Sequence, residues 1–248
     1  MSTSGAYVYF AATSSIAEHV ARCHAKRGVA MVLVGRQADR LDAVAADLKA
    51  RGALSVDVVV ADLADCTKHE VMIADMIRRF GRIELALVAQ GVLQDHDELM
   101  HDAEAVVHGF HLNATSVISV VHTLAVHMLP NGGGTIGVLS SVAGDRGRKT
   151  LFAYCAAKAA VTAFCDGLRM RLHGTGVHVV TIKPGVIRTP MTAGRKIAPI
   201  SSSVEAAARI IERILDGSRS SVYVPWFWRP IMFVVRHLPE GLIRRSGF

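Results

Sequence analysis

Seven short apolar runs, separated by stretches of helical periodicity, limit what this chain can fold into more than any other feature of it. The runs lie near Ala6–Phe10, Ala30–Val34, Ser55–Val60, Leu85–Ala89, Thr135–Leu139, Val177–Ile182 and Val222–Val224. They are rich in Val, Ile, Leu and Ala, as strands covered on both faces are. Helical spacing of apolar residues falls near Ser15–Lys26, Asp39–Arg51, Lys68–Phe80, Asp97–Leu112, Thr115–Met128, Ala153–Leu172 and Val204–Leu215, the last opened by Ser202-x-x-Glu205, which fits a capping box. Parallel neighbours need crossover connections, and these helices supply them. The pattern predicts an α/β fold: one doubly wound domain, residues 1–248, with about seven parallel strands and helices on both faces. No repeat, linker or low-complexity tract interrupts the series, and 248 residues would cramp two independent cores.

Other functions are disfavoured by what the composition lacks. Four scattered cysteines (Cys23, Cys66, Cys155, Cys165) form no CxxC pair, which points to a reducing compartment and no structural metal. The twelve histidines show no metal-ligand spacing, and no nucleic-acid motif is evident. The apolar start, Ala6–Ala12, has no basic residue ahead of it and reads as a buried strand rather than a leader; no apolar stretch is expected to reach the ~18 residues that span a bilayer. A cytoplasmic location is therefore expected. Charge is divided unevenly: residues 1–140 carry 11 Lys and Arg against 15 Asp and Glu, and residues 141–248 carry 17 against 6. Such a split hints at an anionic partner on one side.

The chemistry concentrates between Leu139 and Phe164. Ser141 ends a strand, Tyr154 follows thirteen residues on, and Lys158 lies four beyond it. Tyr154 and Lys158 share one helix face, one turn apart. A free phenol, pKa about 10, is a poor acid–base catalyst at neutral pH, and a nearby ammonium is expected to draw it down. A serine hydroxyl at a strand end can then bond a carbonyl or alcohol oxygen while the tyrosine moves the proton. Tyr-x-x-x-Lys also occurs by chance as an ordinary helix pair.

With a strand ending in Ser140-Ser141 ahead of it, the Tyr154-Cys155-Ala156-Ala157-Lys158 segment resembles the short-chain dehydrogenase/reductase family, single Rossmann-type domains with a Ser-Tyr-Lys set. The resemblance spans roughly Tyr7 to Met191. It implies Tyr154 as acid/base, Lys158 as modifier of its pKa and ribose anchor, Ser141 as orienter of the carbonyl, and Asn113, between two helical patterns, as anchor of a proton relay. It also implies a dinucleotide whose pyrophosphate rests on the first strand-to-helix turn. There the family has Gly-x-x-x-Gly-x-Gly; this chain has Ala11-Ala12-Thr13-Ser14-Ser15-Ile16-Ala17, with three hydroxyl donors and no glycine. After the second strand stand Gly35 and Arg36 where NAD-preferring relatives carry an acid, so NADP(H) is expected, its 2′-phosphate met by Arg36. Asp62 and Leu63 resemble the adenine-side pair. Ala89-Gln90-Gly91 replaces the family's Asn-Ala-Gly, so another group must brace the sheet there. Pro184, Gly185, Ile187 and Thr189 match the turn beneath the nicotinamide.

Residues 188–203 are expected to form a substrate lid. Residues 226–248 are expected to form an apolar, basic tail. Arg146, Arg148 and Lys149 are placed at the catalytic mouth, Arg188, Arg195 and Lys196 in the lid, and Arg229, Arg236, Arg244 and Arg245 in the tail beside Trp226, Phe227 and Trp228. The tail weakly resembles that of polyprenyl-phosphate keto-sugar reductases. The expectation is a reductase of ketones or secondary alcohols, on a small carbonyl or alcohol substrate that is anionic or lipid-linked, with peripheral contact at the inner face of the membrane and a homodimer or homotetramer as assembly. Two alternatives stay open: a fatty-acyl-type 3-ketoreductase, and a non-catalytic dinucleotide sensor or scaffold.

Overall fold

The computed structural model describes residues 5–193, 200–217 and 220–242 and realises the expected alternation. In chain order the elements are β1 (Ala6–Phe10), α1 (Ser15–Ala25), β2 (Ala30–Gly35), α2 (Ala38–Ala50), β3 (Ser55–Val60), α3 (His69–Phe80), β4 (Ile83–Val88), α4 (His96–Leu99), α5 (Ala103–Phe110), α6 (Ser116–Met128), β5 (Gly134–Leu139), α7 (Phe152–Arg171), β6 (Val177–Pro184), β7 (Ile187–Arg188), β8 (Ser202–Ser203), α8 (Val204–Gly217), β9 (Ser221–Val224) and α9 (Trp228–His237). Seven strands form one parallel sheet in the order β3-β2-β1-β4-β5-β6-β9. The order reverses between β1 and β4, and at such a switch point the strands' C-terminal ends open a crevice.

Because side chains alternate across a strand, each face of the sheet builds its own core. Val8, Phe10, Val88 and Val138 point to one side with Val117, Val121 and Val161 of α6 and α7. Tyr9, Leu33, Leu87 and Ile182 point to the other, against Leu41, Ala21 and Ile211 of α2, α1 and α8. This is the Rossmann-type doubly wound arrangement, with helices on both faces.

Four expectations need correction. The helix expected over Asp97–Leu112 is broken: α4 ends at Leu99, and Asp102 caps a new helix by accepting from Ala105 N at 2.8 Å. The turn His111–Thr115 then joins α5 to α6 as a π-helix. The stretch Ala103–Met128 is, by length and composition, apolar enough to cross a membrane, contrary to expectation; half of its most apolar 18-residue window is buried, and Ala114, Val117, Val121 and Leu124 lie in the sheet's core. The capping serine of α8 is Ser203, which accepts from Ala206 N at 3.2 Å, one residue later than expected, because α8 begins at Val204. Finally, the tail holds a helix, α9. Pro230 sits in its first turn, where an N–H has no helical partner to lose.

Under the second core, Tyr9 OH and His24 Nδ1 pair at 2.6 Å, both fully buried, with Tyr7 edge-on to the imidazole. Burial pushes His24 from its ordinary 6.5 down to about 4. The unfolded chain therefore takes up this proton below about pH 6.5, while the folded one resists until about 4, so stability falls as the pH drops through that window. The loss from this residue should reach roughly 3 kcal/mol at the acid end. Urea unfolding at pH 7 and pH 4.5 should show a markedly shallower acid loss in His24→Gln; an identical slope would assign the effect elsewhere.

Candidate active site

The site is built around one buried cation. Lys158, on the inner face of α7, is 2% exposed. Its ammonium donates to Leu139 O at 3.0 Å and Gln90 O at 3.2 Å, the carbonyls at the ends of β5 and just beyond β4. Burial pushes its pKa down to about 8, so it is still charged at neutral pH. Its own carbonyl accepts from Ser140 Oγ (3.1 Å) and Thr162 Oγ1 (2.9 Å), which pins this turn of α7 to the end of β5. Gln90 supplies the brace that the missing asparagines left in question: its side chain donates to Ser116 Oγ at 3.2 Å.

Tyr154 lies one turn earlier, with the Lys158 ammonium 5.7 Å from its ring centroid. Ser141 caps the 3-10 turn Val142–Asp145, its hydroxyl accepting from Ala143 N at 3.1 Å. Ser141, Tyr154 and Lys158 line one cavity of about 210 Å³ at the sheet's C-terminal edge. The expected downward pull on the phenol is not found. Burial pushes Tyr154 up to about 12, with the Ser141 hydroxyl acting weakly the other way. The ammonium directs its protons at the Leu139 and Gln90 carbonyls.

Asn113 stands within the π-turn and is 2% exposed. Its Oδ1 accepts from Val92 N at 2.8 Å, and its Nδ2 donates to Gly109 O at 2.9 Å, so it ties the turn to the strand end that carries Gly91. A Cβ on Gly91 would lie 3.3 Å from Asn113 Oδ1 and 3.4 Å from Lys158 Nζ. Asn113 thus stands behind Gly91, off the cavity wall.

The candidate dinucleotide residues divide between two adjoining hollows. Ser14, Ile16, Ala89, Gln90, Gly91, Pro184, Gly185, Ile187 and Thr189 line the larger one with the Ser-Tyr-Lys set. Ala11, Arg36, Asp62 and Leu63 line a second of about 130 Å³, which shares Gln90 and Gly91 with the first. Thr13 and Ser15 lie on neither wall. The glycine-free turn keeps a glycine-like course: Ala11 has φ +56°, the left-handed region, and Ser14 N returns to Ala11 O at 2.9 Å. Ser14 then caps α1 by accepting from Ala17 N at 3.3 Å. An elongated anionic ligand across the switch point fits this surface, with its phosphates on the N-terminus of α1.

Arg40 was missed. It reaches from α2 to Gln37 Oε1 (2.9 Å) and Thr13 O (3.2 Å), beside Arg36 and the turn; a second cation one helical turn after Arg36 was the available signal. The basic residues expected at the mouth do not gather there. Arg146 donates to Val235, Arg236 and Leu238 carbonyls, at 3.3, 2.8 and 2.8 Å, and so caps the end of α9. Arg188 bonds Ser201 Oγ at 3.0 Å, and Lys149 is exposed. Among the described members of the set, Arg148 is the one on the cavity wall. Arg195, Lys196, Arg244 and Arg245 lie outside the described residues. The remaining lining is mostly apolar: Leu93, Val142, Leu151, Val186 and Met191.

Comparison with known proteins agrees with this geometry. The sequence model of the family described as short chain dehydrogenase matches residues 6–198. An uncharacterized oxidoreductase of Mycobacterium tuberculosis is 36% identical over 238 residues, 96% of this chain and 95% of its own length. A short-chain type dehydrogenase/reductase from Mycobacterium ulcerans superposes with a TM-score of 0.81 at 22% identity, covering 89% of this chain and 88% of that one. Two further structures, each 22% identical and covering 88% of this chain and 94% of theirs, share the fold. One is a 3-oxoacyl-[acyl-carrier protein] reductase from Brucella melitensis in complex with NAD (TM-score 0.76), the other an L-sorbose reductase from Gluconobacter frateurii complexed with NADPH and L-sorbose (0.78).

Proposed function

This chain belongs to the short-chain dehydrogenase/reductase family, oxidoreductases that bind a nicotinamide dinucleotide, and within that family we propose that it is an NADPH-dependent reductase of a ketone. The observation that carries the reading is the single cavity in which Ser141, Tyr154 and Lys158 meet the Pro184–Gly185 turn. When bound, the nicotinamide supplies the hydride. Gly91, Pro184, Gly185, Ile187 and Thr189 would hold that end, and Ser14 and Ile16 the pyrophosphate. Ala11, Asp62 and Leu63 would flank the adenosine. Ser141 donates its hydroxyl to the substrate carbonyl oxygen, which fixes the carbonyl carbon over the cavity floor. Tyr154, a protonated phenol at neutral pH, then gives its proton to that oxygen as negative charge develops. Lys158 holds the ends of β4 and β5 together around the tyrosine, and Asn113 holds the wall behind Gly91.

The apolar lining with one guanidinium, Arg148, suits a ketone on an apolar body bearing an anionic group. An acyl-type 3-keto substrate is the second reading, favoured by the same apolar walls. NADPH in preference to NADH rests on Arg36 in the second hollow, with no carboxylate at Gly35 and Arg40 alongside. The outward face of α9 and its approach supports a peripheral site at the inner, cytoplasmic face of a membrane. Trp226, Phe233, Val234 and Leu242 are 76, 66, 56 and 56% exposed, next to exposed Arg229 and Arg236. The inward face, Trp228, Met232 and Val235, belongs to the core, so removal of the whole tail is a poor test.

Three measurements check these readings. In a panel of ketones and keto acids followed at the nicotinamide absorbance, the protein should oxidise NADPH with at least one. Tyr154→Phe should then lower turnover by about 10²–10⁴; a variant as fast as the parent would remove Tyr154 from the chemistry. Titration should show NADPH bound more tightly than NADH, with the preference lost or inverted in Arg36→Asp. The parent should sediment with anionic vesicles at low salt and not with neutral ones, and Trp226→Ser/Phe233→Ser should abolish this. A concentration-dependent dimer lost in the same variant, without lipid binding, would show that the face joins two copies instead.

A further inference from the structure

Beside the cavity lies a polar cluster, a buried ion pair with a half-buried tyrosine, that the chemistry above leaves unused. Lys183, near the end of β6, donates to Asp145 Oδ1 at 2.6 Å, with the two side chains only 7% and 2% exposed. Tyr223 of β9 donates its hydroxyl to the other carboxylate oxygen, also at 2.6 Å. Lys183 and Tyr223 are register partners, and the ammonium lies 5.4 Å from the Tyr223 ring centroid. Both carboxylate oxygens are therefore engaged. None of the three side chains reaches the wall of either hollow.

Its position is what distinguishes this cluster. Asp145 is the last residue of the 3-10 turn that Ser141 caps, and Lys183 precedes Pro184 and Gly185. Backbone pairing between β5 and β6 ends where Ser140 N meets Ile182 O at 2.8 Å. Past that point the Ser141 turn is joined to β6 through the Asp145 side chain. The far side is closed by α9. Gly185 N bonds Val224 O at 2.9 Å, and a Cβ on Gly185 would lie 1.9 Å from the Trp228 indole, so the turn is pressed against the helix. Trp228 in turn packs in one cluster with Val142. The two walls between which a nicotinamide ring would enter, Ser141–Ala143 and Pro184–Ile187, are thus spaced by this cluster. A buried ion pair is weak evidence for stability, since apolar residues of similar volume often serve as well. Its fixed directions do, however, define a distance.

We propose that Asp145, Lys183 and Tyr223 are positioning residues that set the gap between the Ser141 turn and the Pro184–Gly185 turn, and with it the fit of the nicotinamide end of the dinucleotide. This rests on the dinucleotide-dependent reading of the same cavity. Tyr223→Phe removes one hydrogen bond and keeps the ring; Asp145→Leu/Lys183→Met removes the pair without leaving a lone buried charge. Calorimetric titration of each with NADPH and with 2′,5′-ADP, which lacks the nicotinamide, tests the idea without a known substrate. NADPH affinity should fall several-fold in Tyr223→Phe and about tenfold or more in the double variant, with 2′,5′-ADP held within twofold in both. NADPH affinity unchanged in Tyr223→Phe would overturn the proposal even if the double variant failed to fold. Parallel losses for both ligands would also overturn it, by showing a general loosening. A parent that bound neither ligand would sink the dinucleotide reading and this proposal together, whereas a parent that bound both with unaffected variants would sink this proposal alone.

Discussion

A lysine ammonium taken out of water must have its protons accepted, or it is lost to deprotonation or to unfolding. Lys158 meets that demand with the carbonyls of Leu139 and Gln90. These come from the ends of neighbouring strands, so one side chain from α7 fastens the helix to the sheet at the point where the crevice opens. Tyr154 is aimed by the same helix turn, Ser141 lies two residues past the Leu139 carbonyl that Lys158 grips, and Gly91 lies against the ammonium from the other side, with Asn113 behind it. The cation is therefore first a structural clamp. Its effect on the phenol follows from where the clamp places it, and at 5.7 Å from the ring centroid it does not overcome burial.

The parts of the fold set by local pattern were legible in the sequence: seven apolar runs became seven parallel strands, and the helices between them fell close to their expected bounds. The misses came where tertiary contact decides. The tail helix was not expected; Pro230 sits in its first turn, where it costs no hydrogen bond. The break between α4 and α5 depends on Asp102 finding Ala105 N. In the site, the spacing of Tyr154 and Lys158 was visible, but the burial that sets both pKa values was not. Lys183 could have been noticed, as a charged residue inside an otherwise apolar strand.

Charge asymmetry mixes two signals. Four of the 17 basic residues in the second half of the chain are directed inward: Lys158 to two strand carbonyls, Arg146 to the end of α9, Arg169 to Val179 O and Thr181, and Lys183 to Asp145. Counting basic residues cannot tell a cation that binds a partner from one that finishes a fold. The glycine-free turn taught the reverse. The turn lacks all three glycines of the family pattern, yet Ala11 adopts the left-handed backbone at φ +56° that a glycine would take. An alanine there carries a cost of roughly 1–2 kcal/mol that a glycine would not.

The π-turn at His111–Thr115 carries one residue more than an α-helical turn needs, and this has a consequence for how the chain can vary. Removing any one residue from it would let α5 and α6 merge into a single regular helix, locally the more stable arrangement. It would also rotate everything on one side by about 100° relative to the other. Asn113 would swing off Gly91, or the apolar stripe of α6 would swing off the sheet; no continuous helix satisfies both. The length of this segment is thus held by a conflict between two faces of one helix, and a shortened homologue would have to give up one of them.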